Sequence, residues 1–176
     1  MTIVNLDWVP ASEHPELLAE SVATLLAGWE HAGSVLVAPI DPDLADTAAF
    51  CDRYAVPLEA SANCVVVAGR RGDVIQHAAC MILATNRADV NGVVRRRLDA
   101  RKASFAPMDE AVAATQMEYG GITPLGLPDG WPILVDDAIP AVPVAIVGSG
   151  VRRSKLALPG ELLAALPSAE VLQLRM

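Results

Sequence analysis

The apolar positions of this chain change their period as it proceeds. Between His14 and Glu30, Leu17, Leu18, Val22, Leu25 and Leu26 form one stripe, which predicts an amphipathic helix ending before Gly33. SVLVAPI (34–40) reads as a short strand. DPDLADTAAFCDRY (41–54) reads as a second helix opened by Asp-Pro, with Ala45, Ala48, Ala49 and Cys51 available for packing. The period then shortens: NCVVVAGRRGDVIQHAACMILAT predicts two apolar strands, about 63–69 and 74–84, joined by an Arg-Arg-Gly-Asp hairpin turn. ADVNGVVRRRLDARK returns to helical spacing through Val90, Val93, Val94 and Leu98 despite Gly92. SFAP is a short strand or turn. MDEAVAATQ is a short helix with Asp109 and Glu110 in its first turn, where carboxylates favour the helix dipole. WPILVD, VPVAIVGSG and KLALP then read as strands, PGELLAAL as a helix and AEVLQLRM as a closing strand. Short helices interleaved with many short strands predict an α/β (mixed α+β) fold: a mixed sheet or barrel with helices outside it.

Composition adds limits. A chain of 176 residues is the size of one domain, and its 53% hydrophobic content comes mainly from small aliphatics. No apolar run approaches the ~20 residues of a membrane-spanning helix. MTIVNLDWVP lacks a basic region followed by a hydrophobic signal core, so a cytoplasmic protein is expected. Cys51, Cys64 and Cys80 have no CxxC spacing and read as buried, reduced thiols. His14, His31 and His77 are too scattered for a metal site, and no cofactor is implied.

Charge is unevenly placed. Residues 1–52 carry nine acidic side chains and no Lys or Arg, whereas residues 53–176 carry 13 basic and 12 acidic ones. A net charge of −8 therefore does not exclude a local phosphate-binding face, because binding follows local potential.

Residues 117–131, MEYGGITPLGLPDGW, concentrate glycine and proline in a chain otherwise rich in alanine, valine and leucine. One reading is a long turn between strands. GGITPLG (120–126), followed by PILVD and VGSGVRRSKLALP and preceded by KASFAPMDEAV, resembles the YbaK and prolyl-tRNA synthetase-associated domain family of aminoacyl-tRNA deacylases over roughly residues 34–174. The resemblance implies a mixed β-sheet curled toward a barrel with helices around it. It also implies hydrolysis, in trans, of the ester joining a wrong amino acid to the 3′ end of a tRNA, often tRNA for proline. Such editing is needed because a synthetase pocket separates small amino acids by only ~1–3 kcal/mol per methylene.

On this resemblance Gly120 and Gly121 are candidates for an oxyanion hole, their backbone approaching the substrate closely. Pro124 would hold the loop, Thr123 would offer a hydroxyl to substrate or water or bond nearby backbone, and Gly126 and Gly150 would shape the substrate site. Asp136, ending PILVD, is expected either to position a polar group there or to close a turn. Arg152, Arg153 and Lys155 are the expected tRNA contacts. The family carries a lysine at the start of the strand where this chain has Asn63, an amide that supplies hydrogen bonds but no charge. Lys102 and Lys155 are the lysines available to compensate.

Two further readings follow. One is a catalytically inactive relative that binds tRNA or prolyl-tRNA synthetase; the other is a small-molecule esterase. A Cys64 nucleophile with His77 as its base is disfavoured, because Cys64 opens an apolar strand. Residues 1–33, outside the resemblance, are expected to dock as an acidic helical extension on an editing domain of residues 34–176. There they would either restrict which nucleic acids approach or support a homodimer.

Overall fold

The computed structural model describes residues 5–176; residues 1–4, the start of the segment read for a targeting signal, lie outside the described residues. In chain order the strands are β1 (Val9–Pro10), β2 (Leu36–Pro39), β3 (Ala62–Arg71), β4 (Val74–Leu83), β5 (Lys102–Phe105), β6 (Ile133–Asp136), β7 (Ala145–Gly148), β8 (Ser154–Leu158) and β9 (Ala169–Leu172). The helices are α1 (Glu20–Gly28), α2 (Thr47–Tyr54), α3 (Arg95–Arg97), α4 (Met108–Thr115) and α5 (Gly160–Ala164).

Two sheets form the frame. One is antiparallel, in the order β1-β2-β8-β7; the other is mixed, in the order β5-β3-β4-β6-β9, with β4, β6 and β9 parallel. A parallel bridge between Ser61 and Ile146 joins them at one corner. The mixed α/β architecture is the expected one, but the two sheets do not close into a barrel.

Why β6 and the inner parts of β3 and β4 are apolar at nearly every position follows from burial on both faces; the hairpin end, with Val74 and Ile75, is exposed. Met81, Leu83, Ile133 and Val135 enter the largest core together with α1, while Cys80, Ile82 and Leu134 enter a second core under Val90, Val94 and Leu98. A third core packs Phe50, Cys51 and Tyr54 of α2 against Ile146 and Ala157 of the antiparallel sheet. Each large aliphatic buried this way contributes roughly 1.5–3 kcal/mol.

The hairpin pairs Arg71 with Val74, leaving Gly72 and Asp73 as its loop, and Gly72 takes the positive φ of +60° that a glycine-first turn requires. The helix read over 14–30 is shorter. Two 3₁₀ turns at Ala11–Glu13 and Pro15–Leu17 precede α1, and the Ala19 N–H donates to Ser149 O instead of continuing a helix backwards. The helix read around Gly92 is also altered. Val90–Val94 form a π-helical turn before α3, because the Asp89 carboxylate folds over to accept from the Gly92 and Val93 N–H groups. A Cβ on Gly92 would lie 2.1 Å from that carboxylate, which explains the glycine.

The acidic N-terminal segment shares the largest core through Leu18, Ala19, Val22 and Leu26. Its β1 adds an edge strand to β2.

Candidate active site

A cavity of about 460 Å³ opens where the two sheets meet, between β3, the start of α2, β7–β8 and the loop after α4. One wall is polar, formed by Asp46, Thr47, Asn63 and Lys155; the other is formed by Val66, Ala106, Ala111 and Ile122. Phe105 and Tyr119 also line it and remain 61% and 51% exposed, so their rings stand at its mouth.

The polar wall is held by local structure. Thr47, the first residue of α2, donates its hydroxyl to the Asn63 side-chain oxygen at 2.7 Å, so helix and strand fix each other's side chains. No side chain caps the first turn of α2, which leaves its amide donors and the positive end of the dipole at this wall. Lys155 is 8% exposed; its Nζ donates to Ala45 O at 2.9 Å and lies 5.2 Å from the centre of the Phe50 ring. Burial pushes its pKa down to about 8, with the nearby Arg152 charge acting the same way.

The glycine-rich loop is packed against the fold behind it. Gly121 N–H donates to Glu118 O at 2.9 Å, so that amide is committed within the loop and is not a free oxyanion donor. Gly150 N–H donates to Gly121 O at 2.7 Å and Glu118 N–H to Gly150 O at 2.9 Å, docking the loop backbone on the β7–β8 turn. A Cβ on Gly121 would sit 2.6 Å from Val151 O, and one on Gly148 would sit 2.4 Å from Gly121 O. Of the glycine pair, Gly120 lines the cavity.

Among the residues singled out from the sequence, Asn63, Gly120 and Lys155 therefore come together around one cavity. Gly121, Thr123, Pro124, Gly126 and Gly150 support the loop from behind: Thr123 is fully buried, and Gly126 and Gly150 approach Ser21 and Ala19 at the start of α1. Arg152 sits at the rim, donating to Pro42 O and Tyr119 O and lying 3.7 Å from the Asp46 carboxylate. Arg153 donates to Glu16 O, which ties down the N-terminal segment. Lys155, expected as a tRNA contact and as one of the two lysines available to compensate for Asn63, is buried at the cavity. Asp136 is placed away from the cavity. Fully buried, it accepts from the Leu174 and Arg175 N–H groups and from the Arg175 guanidinium, anchoring the C-terminal segment.

Sequence reasoning did not single out Asp46, Thr47, Phe105 or Tyr119. The usable signal was the helix start at Asp46-Thr47, because first-turn N–H groups gather at such an end. Cys64 lines the cavity, but burial pushes its thiol far up, which removes the thiolate a nucleophile needs. His77 pairs across the hairpin with Ala68, four residues along β3 from Cys64, and stacks on Trp131 at 5.1 Å. At about 3.4 Å per residue the two side chains stand roughly 13 Å apart along the sheet and form no dyad.

Residues 41–166 match the family model of the aminoacyl-tRNA editing domain, and the chain belongs to that family. No curated protein sequence matches it. Among solved structures, the fold is similar to that of a candidate trans-editing enzyme for prolyl tRNA synthetase, at 19% identity and a TM-score of 0.74, covering 90% of this chain and 99% of that one. It is also similar to the hypothetical protein APE2540, at 16% identity and a TM-score of 0.77, covering 89% and 100%. A candidate signal transduction protein from Marinobacter aquaeolei VT8 matches at 18% identity and a TM-score of 0.59, with 89% of this chain covering 30% of that longer one. These likenesses establish the fold. Among the described residues no helix is long and apolar enough to cross a membrane.

Proposed function

We propose that the protein is a deacylase that hydrolyses, in trans, the ester of mischarged aminoacyl-tRNA, with tRNA for proline as the acceptor. The observation that carries this reading is the cavity of about 460 Å³ in a chain of the editing family, lined both by polar groups and by small aliphatics. The polar wall suits the ribose and ester, and Val66, Ala106, Ala111 and Ile122 suit a small amino-acid side chain. Phe105 and Tyr119 at the mouth offer faces on which an unpaired terminal base can stack.

Among the described residues Asp46 is the one carboxylate lining the cavity, and no histidine does. Hydrolysis then depends on a positioned water, assisted by the substrate's own ribose hydroxyl or amino group. The N–H groups of the first turn of α2 and of the Asn63 amide stabilise charge developing on the ester.

The test is ester loss from tRNAs charged with alanine, cysteine, serine or proline, against a no-enzyme control. Loss of one mischarged species, increased in Asn63→Lys, is the expected result. A second reading, an inactive relative that binds tRNA or prolyl-tRNA synthetase, draws on Asn63, whose side chain carries no charge and is bound to Thr47. No ester loss across the panel with tRNA binding intact would replace the first reading with the second.

A further inference from the structure

Lys155 occupies a position that is unfavourable for a lysine and is not explained by packing. It stands on the central strand β8, between Ala38 of β2 and Gly148 of β7. An ammonium has three donors. Here one goes to Ala45 O, an aromatic face meets the head group, and among the described residues no carboxylate lies within ion-pair distance. The charged groups around it are Asp46, which leans toward Arg152, then Arg152 itself and the buried thiol of Cys51. A buried charge without a counter-charge is disfavoured unless something else completes it.

A second donor set adjoins it. The uncapped first turn of the eight-residue α2 begins at Thr47, two residues beyond the Ala45 carbonyl that Lys155 holds. Ammonium, helix end and the Thr47 residue border the same cavity from two different parts of the fold.

We propose that Lys155 and the first turn of α2 form a binding site for an anionic oxygen of the substrate. The inference rests on the editing reading and deepens it. Two groups of an aminoacyl-tRNA end carry that chemistry. One is the phosphate of the terminal nucleotide. The other is the oxyanion formed when water oxygen bonds to the ester carbonyl carbon and the carbonyl π pair moves onto oxygen. Collapse of that intermediate re-forms C=O and breaks the bond to the ribose oxygen, which takes up the proton lost by the attacking water.

Calorimetric binding of adenosine 5′-monophosphate and of adenosine, with wild type and Lys155→Met, separates the two when combined with steady-state deacylation. For the phosphate, wild type prefers the monophosphate by about 10-fold, Lys155→Met loses that preference, and KM for aminoacyl-tRNA rises while kcat holds. For the oxyanion, the two nucleosides bind alike in both proteins and Lys155→Met loses about 100-fold in kcat. Unchanged preference, KM and kcat in a folded Lys155→Met overturn the inference.

Wild type alone provides a check that needs no variant. Its Lys155-dependent quantity, monophosphate preference or kcat/KM, which report the free protein, should decline as pH rises through about 8, and a flat profile overturns the inference. A wild type that prefers the monophosphate through Lys155 yet releases no amino acid would refute the editing reading and leave the anion site standing.

Discussion

A lysine that is 8% exposed and bonded to one carbonyl is held at a pKa of about 8, below its ordinary 10.5, because burial penalises the charged form. The sign of the stability effect follows. Between these two values the unfolded chain binds more protons than the folded one, so stability rises with pH across the window. The buried thiols act oppositely above their ordinary pKa of 9.0: burial pushes Cys51 and Cys64 up and Cys80 up to about 12, so the fold loses stability there as pH rises. The thiol loss is common to wild type and Lys155→Met and cancels in their difference, so from pH 8 to 9 wild type should gain about 1 kcal/mol relative to the variant. Urea unfolding at half-unit pH steps measures it. Lys155→Met should be the more stable protein at pH 7, with a margin that narrows as pH rises; an equal slope in both proteins would place the ammonium in solvent.

At the scale of elements, the loop 117–126 behaves as a packed part of the fold rather than a flexible turn. Gly121→Ala drives a Cβ to 2.6 Å from Val151 O, a backbone atom that cannot rotate away. Overpacking of this kind costs about 1–3 kcal/mol. For a chain of this length that is a Tm lower by about 3–10 °C, readable by thermal melting, with Cys64→Ala as a variant that keeps deacylation. The hairpin β3–β4 was legible in the sequence because two apolar runs and the Gly-Asp turn between them specify it locally. Asn63 and Gly120 were legible as site residues because each lies in a motif. Lys155 read both as a tRNA contact, because two arginines precede it, and as a lysine that could compensate for Asn63; only the sheet pairing, with neighbours on both sides of β8, shows the strand to be buried throughout. Phe105 and Tyr119 lie on separate segments that meet through the fold, a relation no local pattern carries. Asp136 looked like a site residue because a carboxylate at a strand end fits either role until its partners are known.

Across the whole molecule, the arginines that resembled tRNA contacts are tied up, Arg152 against Pro42, Tyr119 and Asp46, and Arg153 against Glu16. Another cationic group is free to serve. Arg70, Arg101 and Lys102 are exposed where β3 pairs with β5, Arg70 standing opposite Lys102, and none of the three forms an ion pair among the described residues. Three residues along β5, Phe105 marks the cavity mouth, a distance of about 10 Å. A tRNA end entering past Phe105 would pass its backbone over this cluster, while the acidic N-terminal segment is held to Arg153 through Glu16 O. With so few cations in contact, log K for tRNA should fall against log salt with a slope of only about −2 to −3, corresponding to three or four single-strand phosphates. Replacing Arg101 and Lys102 together by alanine should flatten that slope by about 1.4 and weaken tRNA binding roughly uniformly across tRNAs, because phosphate contacts carry no sequence information. Binding of adenosine 5′-monophosphate should be unchanged, since that ligand reaches only the cavity. Filter binding at several salt concentrations decides it: an unaltered slope in the double variant would remove the β3–β5 end from the tRNA path.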